Sequence, residues 1–223
     1  DRLASAINGE MGGANRFELC ANLVIGGTTP SLTLFRQVRK HTNLPIYVLI
    51  RNRFGDFCYN DDEIEEMCDS IKAFADEGAD GVVVGALTPE GNLDERALKK
   101  FIEAAGKAKV VLHRAFDMCK EPFAALEKAK EMGFDTILTS GQKGNCVDGS
   151  PLIKELIEKA GKDINILIGA GVSADVIKKV YEMTGGTNYH MSGKKVIESK
   201  MAYRREEVSM GLPSLSEYDI WET

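Results

Sequence analysis

Glu18 and Cys20, within NRFELCANLVIGGTTPS, put a carboxylate and a thiol two positions apart. Strand side chains alternate with a period of two, so the pair would share one face and leave Phe17 and Leu19 on the other. A carboxylate there could exchange a proton or answer a cation, and a thiol could ligate a soft metal. Further along, IRNRFGDF offers Arg51, Arg53 and Asp56, and LHRAFD offers His113, Arg114 and Asp117. LTSG adds Thr139 and Ser140, and YHMSGKK adds His190, Ser192 and Lys194. Arginines clamp carboxylate or phosphate through forked donors, and histidine exchanges protons near neutral pH. The acid–base candidates are therefore Glu18, His113, Asp117 and His190, with Arg51, Arg53, Arg114 and Ser140 as anion ligands. Each has a structural alternative: an acid–arginine pair can simply close a scaffold, and a strand histidine can be a satisfied core residue.

These residues need elements that bring them together. Short β-branched runs at 16–20, 46–51, 81–87, 110–115, 136–140, 165–169 and 188–192 alternate with helical patterns near 30–41, 61–77, 94–105, 121–132, 150–160 and 173–184. In the segment 61–77, Ile64, Met67, Cys68, Ile71, Phe74 and Ala75 recur at helical spacing as one apolar stripe. The junctions repeat too: GAN (13–15), GAD (78–80), GFD (133–135), GKD (161–163) and GTN (186–188) each separate a helix from the next strand. Glycine ends helices and Asp or Asn turns the chain, while Pro30 and Pro122 suit first-turn positions.

Such alternation predicts a parallel sheet, either a closed (β/α)8 TIM barrel or an open doubly wound sheet. Seven strands follow a helix-like segment at 2–11, which implies a first strand before Asp1 and favours the TIM barrel. No G-x-G-x-x-G follows the first strand, which weakens a dinucleotide-binding fold. The reading is one domain over 1–223, with 194–223 as a C-terminal tail packing on or beyond the barrel. In that tail Met201, Tyr203, Met210 and Trp221 could cover the barrel or contact a second subunit in a homo-oligomer.

In a TIM barrel the functional residues gather at the carboxyl ends of the strands. Glu18 and Cys20 would then face the axis, with arginines as natural partners for Glu18 and Asp117. Gly169 and Gly171 after the seventh barrel strand, and Ser192 with Gly193 after the eighth, could bind an anion through backbone N–H groups.

Composition narrows the partners. Of 223 residues, 43% are hydrophobic and 28% charged, ordinary for a chain that buries a core. The net charge of −6, without a basic block, argues against nucleic acid and anionic membranes. Apolar runs such as IYVLI are too short to span a bilayer, and no secretory leader is visible. The five cysteines (20, 58, 68, 119 and 146) are scattered without a CxxC pair, fitting reduced cytosolic thiols. Cys68 and Cys119 read as core hydrophobes, Cys58 as incidental, Cys146 as exposed in its polar loop, and His41 as a surface helix end.

Six segments carry a family resemblance: GGANRFELCANLVIGGTTPS, VLIRNRFGDFCYND, GADGVVVGALTPEGNLD, VVLHRAFDM, GFDTILTSG and AYRREEVSMG. From about residue 12 to 218 the chain resembles the CutC family of copper homeostasis proteins. The resemblance implies a TIM barrel in a cytoplasmic protein linked to copper tolerance and binding Cu(I), with Cys20 in the copper site. It also implies a preceding strand of the pattern Glu-x-Cys and a final helix after SEYDIWE. Where the family has Arg-Pro-Arg, this chain has Arg51-Asn52-Arg53.

Two readings remain open on the residues. Soft Cu(I) favours Cys20, with His190 as a further donor and Met191 pointing away. The arginines instead favour a small anionic ligand, with the chain an enzyme using His113 or Glu18 as acid or base.

Overall fold

A computed structural model describes residues 1–205, 207–211 and 216–222. After α1 (Leu3–Met11), six strands alternate with helices: β1 (Phe17–Leu19), α2 (Leu32–Arg39), β2 (Ile46–Leu49), α3 (Asp61–Asp76), β3 (Gly81–Val84), α4 (Glu95–Ala105), β4 (Lys109–Leu112), α5 (Pro122–Met132), β5 (Thr136–Thr139), α6 (Ser150–Ala160), β6 (Asn165–Ile168) and α7 (Ala174–Thr184). The strands are all parallel, in the order β1-β2-β3-β4-β5-β6, and the sheet curls into a half-barrel.

Local sequence explains the helix boundaries. Asn60 opens α3 with a reciprocal capping box: its side chain accepts the Glu63 N–H while Glu63 accepts the Asn60 N–H. Ile64, Met67, Cys68, Ile71 and Phe74 are buried along one face of that helix, as the stripe predicts. Pro122 occupies the first turn of α5. Pro30 does not start α2, because Ser31 accepts the Leu34 N–H and is the cap. The last repeated junction is also displaced: Gly185, rather than Gly186, takes the left-handed conformation that ends α7.

Alternation along the strands sorts side chains onto two faces. Leu19, Val48, Ile50, Val82, Val84, Leu112 and Ile137 face outward into the main core, against helix residues such as Phe35, Ile71, Leu98, Phe101 and Leu126. Cys20, Tyr47, Leu49, Val83 and Val111 form a separate inner cluster. The period-two placement of Cys20 on the inner face therefore holds.

The strands are shorter than the β-branched runs. The expected strand at 188–192 is reduced to one parallel bridge between Ile168 and Tyr189, beside β6. The Ile168 N–H donates to Asn188 O and the His190 N–H to Ile168 O. Beyond that point Met191 and its successors are exposed, so no burial supports further pairing. From Lys195 the chain forms an antiparallel hairpin, β7 (Lys195–Glu198) with β8 (Asp219–Glu222). All of β7 is exposed, as are Met201, Tyr203 and Met210, and Lys194 lies 5.1 Å over the Trp221 ring. Among the described residues no helix is long and apolar enough to cross a membrane.

Candidate functional site

Register places the inward residues in layers. Leu49 pairs with Val83 and Val83 with Val111, so two residues onward Arg51, Gly85 and His113 occupy one layer just past the strand ends. The Cys20 cluster lies immediately beneath. Glu18 is lower still, in register with Tyr47 and Gly81.

Arg51 is only 8% exposed. Its Nη1 donates to Gly27 O at 3.1 Å and Ile25 O at 3.4 Å, and its Nη2 to Gly55 O at 2.8 Å. Its Nε is buried without a hydrogen-bond partner. The guanidinium carbon lies 5.2 Å from the centre of the Phe57 ring, which in turn lies 4.9 Å from the His113 ring. His113 is 5% exposed, and its Nδ1 accepts the Ala115 N–H at 3.0 Å. The hydrogen of the neutral ring therefore sits on Nε2, which is buried and unpartnered. Burial, reinforced by the charge on Arg51, pushes the imidazole down to about 3, so the ring stays neutral across the physiological range. Gly85 makes room for it: a Cβ there would lie 2.5 Å from His113 Cε1.

Asp117 has a full complement of partners. Its carboxylate accepts from Arg114 Nε at 2.7 Å, Thr139 Oγ1 at 2.5 Å, and the Ser140 N–H and hydroxyl at 3.0 and 2.9 Å. The Gln142 N–H adds a contact at 3.2 Å. Arg114 Nη2 also donates to Ser140 Oγ, and that hydroxyl lies 2.6 Å from Lys143 O. The expected Asp117–arginine pairing is present, and Asp117, Arg114 and Ser140 are consumed in joining the loops after β4 and β5.

Glu18 meets a histidine instead of an arginine, with Oε2 3.5 Å from His190 Nδ1. Cys20 is 7% exposed, and burial, with Glu18 acting in the same direction, pushes its thiol up. Arg53 does not share a face with Arg51, because the chain leaves the strand after β2. It binds Glu63 of α3 at 2.5 Å, Asp56 at 3.2 Å and Cys58 O at 2.8 Å. Gly169 spends its N–H on Thr139 O at 2.9 Å, while Gly171 (φ 72°) and Ser192 are exposed in their loops.

All five cysteines are free. Cys146 is fully buried against Ile153, Ile168 and Val180, contrary to the exposed position expected from its polar loop. Its N–H donates to Ala170 O, which draws the loop under α6 and α7. Among the described residues no group of three His, Cys, Asp or Glu side chains could hold a metal. Phe57 and Gly85 were absent from the sequence-based candidates. Gly85 was accessible from the strand period, two positions beyond Val83, whereas the position of Phe57 depends on a loop.

A family profile described as the CutC family matches residues 1–195. The chain belongs to the CutC family. It is 41% identical over 221 residues to the copper homeostasis protein cutC homolog of Homo sapiens, covering 99% of this chain and 81% of that protein. It is 40% identical over 223 residues to a family protein CutC of Pasteurella multocida, covering 100% of this chain and 91% of the relative. A solved structure, the putative copper homeostasis protein CutC from Streptococcus agalactiae, superposes with a TM-score of 0.76 at 31% identity, over 79% of this chain and 87% of that one. A mandelate oxidase mutant superposes at 0.57 with 15% identity, over 85% of this chain and 58% of that one, a likeness of fold alone. The fold is thus the TIM-barrel-like fold of the CutC family.

Proposed function

We propose that this CutC-family chain serves copper homeostasis, taking Cu(I) as cargo through the thiol of Cys20. The carrying observation is the position of that thiol, on the inner face of the curled sheet among Tyr47, Leu49, Val83 and Val111. The surroundings of the thiol are mainly apolar, and a thiolate suits a soft cation better than a hard one. One protein thiol makes an exchangeable site, appropriate to cargo in transit, and five free cysteines fit a reducing cytoplasm. The relatives' names support this copper reading. The acid–base alternative gains no support from the geometry: Asp117 is consumed by its neighbours and His113 stays neutral.

Anaerobic titration with Cu(I) against a chromophoric chelator tests the proposal. Cys20→Ser should lose the bound copper while Cys146→Ser retains it. Uptake by Cys20→Ser with wild-type stoichiometry and affinity would overturn it. Binding must displace the thiol proton, so affinity should rise about tenfold per pH unit below the thiol pKa. Because burial raises that pKa, the rise should continue through neutral pH.

A further inference from the structure

Arg51 poses a charge problem. Among the described residues no carboxylate answers its buried guanidinium. The carbonyls of Ile25, Gly27 and Gly55 satisfy individual N–H groups but carry no net charge. A buried charge without a counter-charge is costly unless a partner arrives. The same neighbourhood holds two donor atoms without partners, Arg51 Nε and His113 Nε2, while the Tyr59 hydroxyl lies toward the Arg51 side chain. Tyr59 lies in the field of Arg51, and Phe57 touches both Arg51 and His113. By contrast Arg53 and Arg114 each have a carboxylate.

We infer that Arg51 and His113 form a binding subsite for the carboxylate head of a small monoanionic ligand, one layer beyond Cys20. The charges match: one guanidinium faces a neutral imidazole, so a single negative charge balances the site. The donors match as well, since Arg51 Nε–H and His113 Nε2–H can each serve a carboxylate oxygen. Phe57 forms an apolar wall beside both residues, and the missing side chain at Gly85 lets the His113 ring sit in the same layer as Arg51. A doubly charged phosphate would bring excess charge and more oxygens than these donors serve. The Asp117 cluster is not part of the subsite, because its donors are spent.

The test follows the side-chain ¹⁵N–¹H signals of Arg51 Nε and His113 Nε2 in the wild-type protein. Acetate is added at constant ionic strength, with chloride and inorganic phosphate as parallel titrants and thermal melting as a second readout. Both signals should move saturably with acetate, and the melting temperature should rise with the same midpoint. Arg51→Lys keeps the charge but removes Nε–H, and should weaken acetate binding about tenfold or more. Signals that stay still throughout the acetate titration would overturn the subsite, leaving Arg51 as a staple for the loops around Gly27 and Gly55. Equal movement with chloride would mean an adventitious ion only, and binding of phosphate without acetate would overturn the monocarboxylate assignment. No copper enters the measurement, so its failure would leave the Cys20 proposal standing.

Discussion

Two polar clusters lie past the strand ends and differ in how completely their groups are paired. Around Asp117 one buried carboxylate gathers Arg114, Thr139, Ser140 and Gln142, and charge and donors balance within the chain. Around Arg51 the charge is equally buried, yet only uncharged oxygens answer it, and Nε remains unpartnered in the layer it shares with His113. A closed network of the first kind joins loops and has no capacity left for a ligand. An open one of the second kind keeps donors for something outside the chain. Richness in charged residues alone does not separate the two, because both have an arginine and chemistry-bearing neighbours.

The largest effect should come from breaking the closed cluster. Asp117→Ala leaves Arg114, Thr139 and two backbone N–H groups without their acceptor, and should cost about 3–5 kcal/mol in urea denaturation. Arg51→Lys, at the open cluster, retains the charge and should cost clearly less. If Asp117→Ala proved the milder of the two, the division into a structural and a ligand-ready cluster would fail.

Much of the fold was legible because it depends on periodicity. The inner placement of Cys20 follows from alternation, and the buried stripe on α3 follows from helical spacing. An arginine partner for Asp117 was anticipated because a buried charge needs a counter-charge, and Arg114 supplies it. Legibility failed where the chain leaves a regular element. Arg53 follows Arg51 by two, but the strand pairing continues only to Ile50, and the loop beyond turns Arg53 to Glu63. Cys146 sits in a polar run, yet a backbone bond to Ala170 across the fold buries it. Glu18 was paired with arginine by charge logic, whereas in the folded chain its carboxylate lies against His190. Hydrogen-bond completeness is a property of three-dimensional neighbours, so the contrast between the two clusters was invisible in the sequence.

Acid should sharpen the contrast next. The His113 pKa falls from its ordinary 6.5 to about 3 in the folded protein. Above pH 6.5 neither state is protonated and the folded protein has its full stability. Below it the unfolded chain binds a proton that the folded one refuses, so stability falls until about pH 3. The slope is about 1.4 kcal/mol per pH unit, or about 3 kcal/mol by pH 4.5. His113→Phe, which cannot titrate, should lose this contribution to the acid slope of urea midpoints. An unchanged slope in that variant would show that His113 is not held neutral by the fold.

Gly85→Ala should have the smallest effect and tests how the open cluster is built. The added methyl would lie 2.5 Å from His113 Cε1, 2.6 Å from Nδ1 and 2.8 Å from the Ala115 side chain, closer than packed atoms tolerate. The imidazole must shift and weaken its bond from the Ala115 N–H, at a cost of about 1–3 kcal/mol at neutral pH. A displaced ring that reaches water regains a pKa nearer its ordinary value, so the variant should also lose part of the acid slope. Stability and slope should therefore change together, whereas overpacking that leaves the ring buried would lower stability and keep the slope. The Asp117 cluster offers no such coupling: its acceptor is a carboxylate held by several donors, and Gly85 does not touch it. A combined loss in Gly85→Ala would identify the side-chain-free position just past β3 as the feature that lets His113 lie neutral, with Nε2 unpartnered, in the layer it shares with Arg51.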